Sequence, residues 1–490
     1  MTTRFLVLDI GTTGLRAAIV NDRLDIEHFE YRANPPSIPF DGLVEFDAAR
    51  LADVTMDAAS AALTQAPGPV AAIGITNQRA STIVWDRDSG VPIGPGLGWQ
   101  DLRTITECIV VKAERGWTVA PNQSITKLAW LLDNTPGLDG RNLCFGTIDA
   151  WVAWTLTKGS LHVSDGTNMS TTTTGLRVAD GSDWDRTRLE HFGIEERVLP
   201  TVVDSSGVVG VATALPGDLP IAALVGDQQA SLIGQACIRP GTAKLTLGTG
   251  GMLDLVTESD PPTEVRRNDA GTYALPTWQL DGEITWGAEG IMLSAGTNVE
   301  WLRDDMGLID SSAASHDIAA LTPTSEGVVY VPALLGIGTP TWDYGARGTL
   351  LGLTRGSERS HIVRAVLDGI AHRCADLVDA ALHDTDIAVD TIRLDGGMSQ
   401  NPTLVQLLAD ATGVVIEVSP TTEATTRGAA FLAGLGIGTW SELSDVAGLW
   451  TPSHSVNPDP SIDRSTVRRR WADALRRAGE WHLDLSALDF

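Results

Sequence analysis

The sequence predicts an α/β chain folded as two similar lobes with a cleft between them, and three observations predict it. Apolar runs of strand length alternate with helical stretches along all 490 residues, the pattern of a layered α/β protein. That length exceeds one ordinary core, so two domains of roughly 200 to 250 residues are expected. The second half also repeats the plan of the first. A strand runs into the glycine turn Leu247-Gly248-Thr249-Gly250-Gly251, as an earlier one runs into Asp9-Ile10-Gly11-Thr12-Thr13-Gly14-Leu15-Arg16, and the strand Thr391-Ile392-Arg393-Leu394 ends in Asp395-Gly396-Gly397.

Taken in order, Phe5-Leu6-Val7-Leu8 and Ala17-Ala18-Ile19-Val20 flank the first turn, giving strand, turn, strand. In a P-loop or a dinucleotide fold the glycine turn opens a helix instead. Glycine tolerates positive φ, so both turns can bring several backbone N–H groups to a phosphate; an ordinary hairpin turn is the alternative. Asp9 closes the first strand beside this turn, where its carboxylate could hold a hydrated magnesium ion next to phosphate oxygens. Further strands are expected at Val70 to Thr76, Thr82 to Trp85 and Ala222 to Gly226, and helices at Leu51 to Leu63, Ile362 to Leu382 and Pro402 to Thr412. The breaker cluster Arg239-Pro240-Gly241 marks the boundary between halves. Thr451 to Pro460 reads as a loop, followed by a helix around Val467 to Trp481 whose Arg468-Arg469-Arg470 run reads as a solvated face.

Composition narrows the partners. A net charge of −27 argues against nucleic acid and against an anionic membrane, both of which demand a basic surface. The chain has no run of about 18 apolar residues and its start shows no leader pattern, so a cytoplasmic protein is expected. Cys108, Cys144, Cys237 and Cys374 are widely separated; they read as buried free thiols rather than a zinc site or a disulfide framework. An acidic protein that binds a phosphate-bearing ligand must supply positive charge locally, through magnesium and a few arginines.

Several blocks then converge. Ile75-Thr76-Asn77-Gln78-Arg79, Thr82-Ile83-Val84-Trp85-Asp86, Gly98-Trp99-Gln100-Asp101, Thr126-Lys127-Leu128-Ala129-Trp130, Phe145-Gly146-Thr147-Ile148-Asp149, Gly226-Asp227-Gln228-Gln229, Arg347 to Leu353 and Asp395-Gly396-Gly397 occur in the order found in the FGGY carbohydrate kinases. The chain resembles that family over nearly its whole length, and the glycerol kinase branch most. The resemblance implies an actin-like ATPase fold of two ribonuclease-H-like domains: 1–238, 239–450, and a tail 451–490 packed on the second. It implies phosphorylation of a terminal hydroxyl of a small polyol by ATP and Mg²⁺, and a homo-oligomer, dimer or tetramer.

Residue by residue, the resemblance makes Asp227 the general base and a water-mediated magnesium partner with Asp9. The residue bases agree, since Asp227 follows an apolar strand that ends at Gly226, although a carboxylate there could also cap the helix behind it. Thr12, Thr13, Gly14 and Arg16 would meet the phosphates from one lobe, Thr249 and Gly250 from the other. Gly296, Glu300, Gly397 and Asn401 would surround the nucleotide, Glu300 standing where glycerol kinases carry glutamine, and Asn401 could equally cap the helix that starts at Pro402. Arg79, Trp99, Asp227 and Gln228 would handle the acceptor: arginine can donate to vicinal hydroxyls, and tryptophan offers an apolar wall with one N–H, although a core role is the usual fate of one of 15 tryptophans.

The sequence departs from glycerol kinase at three substrate-side positions. Ala80 stands where a glutamate is expected, Asn122 where a tyrosine is, and Met252 where a phenylalanine is. Losing a carboxylate and two aromatics removes hydroxyl partners and frees volume, so a four- or five-carbon acceptor such as erythritol, threitol or a pentitol is expected as an alternative to glycerol. The segment Ala214-Leu215-Pro216-Gly217-Asp218-Leu219-Pro220 lacks the arginine of the bisphosphate-binding loop of some glycerol kinases, so no inhibition by fructose 1,6-bisphosphate is expected. A ketose kinase of the xylulose type and an actin-like ATPase scaffold without an acceptor are the alternatives.

Overall fold

A computed structural model describes residues 2–138 and 140–488 and organises them around two large sheets. The first contains β1 (Arg4–Ile10), β2 (Gly14–Asn21), β3 (Ile26–Ala33), β4 (Ala72–Asn77), β5 (Ser206–Ala212) and β6 (Leu219–Gly226), in the order β5-β6-β4-β1-β2-β3. β1 runs parallel to β4, with Asp9 beside Thr76, and β4 runs parallel to β6, with Asn77 beside Gly226. Parallel pairing puts the carboxyl ends of three strands side by side, so the Gly11 turn, Gln78-Arg79 and Asp227 all emerge at one edge. In open α/β sheets that edge is where ligands bind.

The second sheet contains β7 (Thr242–Leu247), β8 (Gly251–Val256), β9 (Tyr273–Leu280), β10 (Glu283–Met292), β11 (Thr391–Asp395), β12 (Val415–Val418) and β13 (His454–Val456), in the order β9-β10-β8-β7-β11-β12-β13. The plan of the first sheet recurs: β7 and β8 form an antiparallel pair around the glycine turn, and β7 runs parallel to β11. The two-lobe, mixed α/β reading therefore holds at the level of topology.

The helices that matter below are α1 (Ala48–Gln65), α2 (Ser124–Asn134), α3 (Ile148–Leu156), α4 (Asp227–Gly234), α5 (Gly296–Asp304), α6 (Arg359–Thr385), α7 (Pro402–Thr412), α8 (Ala424–Gly436) and α9 (Arg464–Ala478). One face of the first sheet (Leu6, Leu8, Ile73, Ile75, Ile221) packs under α1 and α3. The other (Phe5, Val7, Ala18, Val225) packs under α4 and α8, although α8 belongs to the second half of the chain. α4 and α8 touch backbone to backbone: a Cβ on Gly234 would overlap the Ala424 carbonyl, and one on Gly428 the Ala230 carbonyl. Glycine is required at that crossing.

In the second sheet, Leu245, Leu253, Leu255, Ile392, Leu394 and Ile416 face α6 and α7, joining Val366, Ile370, Leu404 and Leu408 in one core. Side chains alternate along strands, so the intervening residues point the other way, towards α4. The four cysteines are buried and free, as expected. Among the described residues no helix is long and apolar enough to cross a membrane.

The tail corrects the sequence reading twice. The expected loop 451–460 contains β13, an edge strand paired antiparallel with β12; three residues are too few to show alternation. The arginine run is not a purely solvated face either. Arg468 donates to Asp376 at 2.6 Å and to Asp379 at 2.8 Å, and Arg470 donates to the Gly327 carbonyl. Consecutive helical residues point about 100° apart, so three in a row cannot all face solvent on a packed helix. Trp471, Ala474 and Ala478 anchor α9 against Val331 and Ala333.

Candidate active site

Asp9, one residue before the end of β1, is only 7 % exposed. Thr426 on α8 donates to its Oδ2 at 3.2 Å, and the Arg16 guanidinium lies 3.8 Å away. Burial raises Asp9 to about 7, Arg16 opposing and Asp227 adding to the rise. In the turn, the Gly11 N–H donates to the Gly14 carbonyl, and the Thr13 carbonyl accepts from Asn34. A Cβ on Gly14 would run into the Tyr31 ring. Thr12 Oγ1 donates to Gln78 at 2.8 Å and accepts from Trp99 Nε1 at 3.3 Å. Trp99 is 38 % exposed, so it is a wall beside the turn and not a core tryptophan.

Asp227 is the first residue of α4, directly after β6, and its Oδ1 accepts from the Gln228 N–H at 2.8 Å. Burial raises its pKa, with Arg79 opposing. Arg79 runs beneath the preceding residue: a Cβ on Gly226 would stand 2.9 Å from Arg79 Cδ. The positions of Arg79 and Asp227 are fixed from below. The Gly226 N–H donates to Thr167 Oγ1 at 2.8 Å, Thr167 donates to Asp165 at 2.9 Å, and Asn168 bonds both Asp165 and Asn77. Asp165 thus ties the ends of β4 and β6 together, and Ser205 at 2.7 Å completes its shell.

Sequence reasoning missed the partners across the cleft. Arg79 pairs with Glu289 on β10 at 2.6 Å, and Gln228 Oε1 accepts from Lys244 Nζ on β7, also at 2.6 Å. Lys244 lies 2.7 Å from Asp254 on β8. Lys244, Asp254 and Glu289 stand directly opposite one another across three strands, and Arg393 and Glu417 continue the row on β11 and β12. The available signal was a charged residue at the alternate position of an otherwise apolar strand, as in Ala243-Lys244-Leu245 and Leu253-Asp254-Leu255.

The remaining acceptor-side residues fall into two groups. Ala80 is buried in the left-handed region at φ 62°, and its carbonyl accepts from Ser124 at the start of α2 at 3.3 Å. Asn122 is exposed, and its carbonyl accepts from Lys127, which also donates to Gly98 at 2.8 Å. Burial lowers Lys127 to about 7. Ala80, Asn122 and Trp99 are therefore held around one lysine and one serine. Met252 lies on β8 in the other lobe, opposite Thr246 and Ile291, two residues from Asp254 and on the same face.

On the second lobe, Thr249 and Gly250 form the β7–β8 turn, and the Ala295 and Gly296 N–H groups donate into it at 2.9 Å. A Cβ on Gly296 would lie 3.6 Å from Met398 Sδ, next to Gly397, whose own Cβ direction is open. Asn401 caps α7, accepting from Leu404 at 3.1 Å and donating to Ser315 at 2.9 Å. Glu300 is exposed on α5. The two turns, both narrowed by glycine, and the buried carboxylates of Asp9 and Asp227 suit a polyphosphate and a divalent cation: burial disfavours both anions, and a cation would relieve it.

Residues 4–234 match the model for the FGGY family of carbohydrate kinases, N-terminal domain, and residues 243–437 match that family's C-terminal domain. Glycerol kinase of Deinococcus radiodurans is 38% identical over 98% of this chain and 99% of its own length. Glycerol kinase of Aromatoleum aromaticum is 40% identical over 97% and 99%. Among solved structures, Plasmodium falciparum glycerol kinase with ADP superposes with a TM-score of 0.91 at 29% identity, covering 97% of this chain and 98% of that one. A xylulose kinase from Lactobacillus acidophilus reaches 0.86 at 21% identity over 97% and 98%, a likeness of fold alone. The chain belongs to the FGGY carbohydrate kinases and has their actin-like ATPase fold; it is an ATP-dependent phosphotransferase acting on a small sugar or polyol.

Proposed function

We propose that this kinase transfers the γ-phosphoryl group of ATP to a terminal hydroxyl of a small polyol, with Asp227 as general base, and that four- or five-carbon polyols are accepted beside or ahead of glycerol. The observation that carries this reading is the meeting of Asp227, Arg79 and Gln228 at adjoining strand ends, with Glu289 and Lys244 reaching them from the second lobe. Thr12, Thr13, Gly14, Arg16, Thr249 and Gly250 would hold the phosphates, with Gly296, Glu300, Gly397 and Asn401 around the nucleoside.

Asp227 is ionised more reluctantly than an exposed carboxylate because it is buried. A raised pKa brings a carboxylate nearer the operating pH, which strengthens it as an acceptor for the proton of the attacking hydroxyl. Arg79 opposes that rise and would offer N–H donors to the acceptor's oxygens. Trp99 covers the carbon chain. Asp9 and Asp227 would hold Mg²⁺ through water, and the chemistry it would supply is neutralisation of phosphate charge. Closure of the lobes is needed so that water does not take the phosphoryl group.

Ala80, Asn122 and Met252 support a wider acceptor. Ala80 is buried and offers no carboxylate, Asn122 turns to solvent, and Met252 is a flexible side chain. The test is ADP release from ATP·Mg with each of glycerol, erythritol, the threitols, xylitol, ribitol and the matching ketoses, with Asp227→Asn as control. Polyol-dependent release, abolished in the variant, is expected. Release on ketoses alone would replace the reading with a ketose kinase, and release independent of any acceptor would replace it with an ATPase scaffold.

A further inference from the structure

Two carboxylates, Asp254 and Glu289, face each other across β8 and β10 at 2 % and 5 % exposure. Burying one uncompensated carboxylate is costly and burying two together more so. Arg79 and Lys244 balance the charge, but the hydrogen bonding stays incomplete. Glu289 accepts from Arg79. Lys244 Nζ lies 2.7 Å from Asp254 Oδ2 and also donates to Gln228 Oε1 at 2.6 Å. Asp254 Oδ2 has that ammonium beside it and Asp254 Oδ1 has no hydrogen-bond partner among the described residues, whereas a buried carboxylate ordinarily accepts several.

The setting says what ligand would suit. Burial, together with the charge of Asp254, holds Glu289 well above the usual carboxylate range against the pull of Arg79. The two carboxylates offer acceptor oxygens, and Arg79 and Lys244 beside them offer N–H donors, which together complement a hydroxyl. Arg79 connects this pair to the reacting end, since it bonds Glu289 and also acts on Asp227. Met252, which replaces an aromatic of the glycerol kinase pattern, lies on the same strand face as Asp254.

Resting on the polyol kinase reading above, we propose that Asp254 and Glu289 are specificity-determining residues that receive acceptor hydroxyls distal to the one phosphorylated, standing in for the carboxylate absent at Ala80. Longer polyols carry the extra hydroxyls this pair can bind. Glycerol does not fill it. A purely structural role, an Arg79–Glu289 latch between lobes, would affect every acceptor alike.

The experiment compares kcat/KM for glycerol and for the best four- or five-carbon polyol in the wild type, Asp254→Asn and Glu289→Gln. The longer acceptor is expected to lose about 100-fold or more and glycerol only a few-fold, because a site built for a hydroxyl discriminates steeply. KM for ATP is expected to stay unchanged. An equal loss on all acceptors overturns the proposal. A second measurement needs no variant: the wild type is compared on a four-carbon tetraol and on the butanetriol lacking its far hydroxyl. A loss of about 100-fold supports the pair as hydroxyl receiver, and equal rates overturn it. Wild-type protein inactive on every polyol would instead bring down the polyol reading itself, and this inference with it.

Discussion

Lys244 and Leu245 are neighbours on one strand and do opposite jobs. Leu245 points into the apolar core under α6 and α7, fully buried with Leu253, Ile392 and Leu394. Lys244 points the other way, equally buried, into a row of charges facing α4 and the first lobe. A sheet covered on both faces normally reads as apolar on both. That one face departs from this marks it as the candidate working face, and under the proposed function the difference separates residues that hold the lobe together from residues that would meet the acceptor.

The first way to break the comparison lies opposite the charged row, in the first lobe. Asp227→Asn is expected to lower kcat by about 1,000-fold or more while the thermal midpoint stays near wild type, since general-base and positioning losses act only on the reaction. A kcat within about tenfold of wild type would remove Asp227 from the role of base. Next comes Lys244→Met, which strips Asp254 of its counter-ion and is expected to cost about 3–5 kcal/mol in denaturant unfolding, with acceptor kinetics impaired beyond that. Leu245→Ala is the matched control: about 2–5 kcal/mol lost, with kcat/KM per folded molecule unchanged. If the two variants shifted acceptor kinetics equally, the division between faces would fail.

A smaller effect sharpens the account of the pocket. Ala80→Glu restores a carboxylate on the first-lobe side and is expected to shift the acceptor ratio towards glycerol by about tenfold; no gain in glycerol turnover counts against the widened pocket. The pH profile gives a further check. Asp227 must be ionised to accept a proton and its folded pKa is raised, so activity is expected to fall as pH drops through a value above the ordinary carboxylate range near 4. An acid limb at or below that range would mean an exposed, ordinary base.

Much of this was legible in the sequence. The alternation of strands and helices, both glycine turns and the strand end before Asp227 announce themselves locally, because periodicity and backbone chemistry are short-range properties. The charged row does not. Lys244, Asp254 and Glu289 are brought into line only by strand register, and no local signal says which strands pair. Trp99 is similar: its block was readable, its exposed place against Thr12 was not. The packing of α8 on the first sheet, and the Arg468 contacts with Asp376 and Asp379, likewise depend on tertiary contacts between distant segments.

The measurement that bears most directly on the central claim is the ratio of kcat/KM for the four- and five-carbon polyols to that for glycerol, taken from ADP release with saturating ATP·Mg. A ratio above one, falling towards or below one in Asp254→Asn and in Ala80→Glu, is the expected result. A ratio far below one in the wild type, unmoved by either substitution, would contradict it and return the site to an ordinary glycerol pocket.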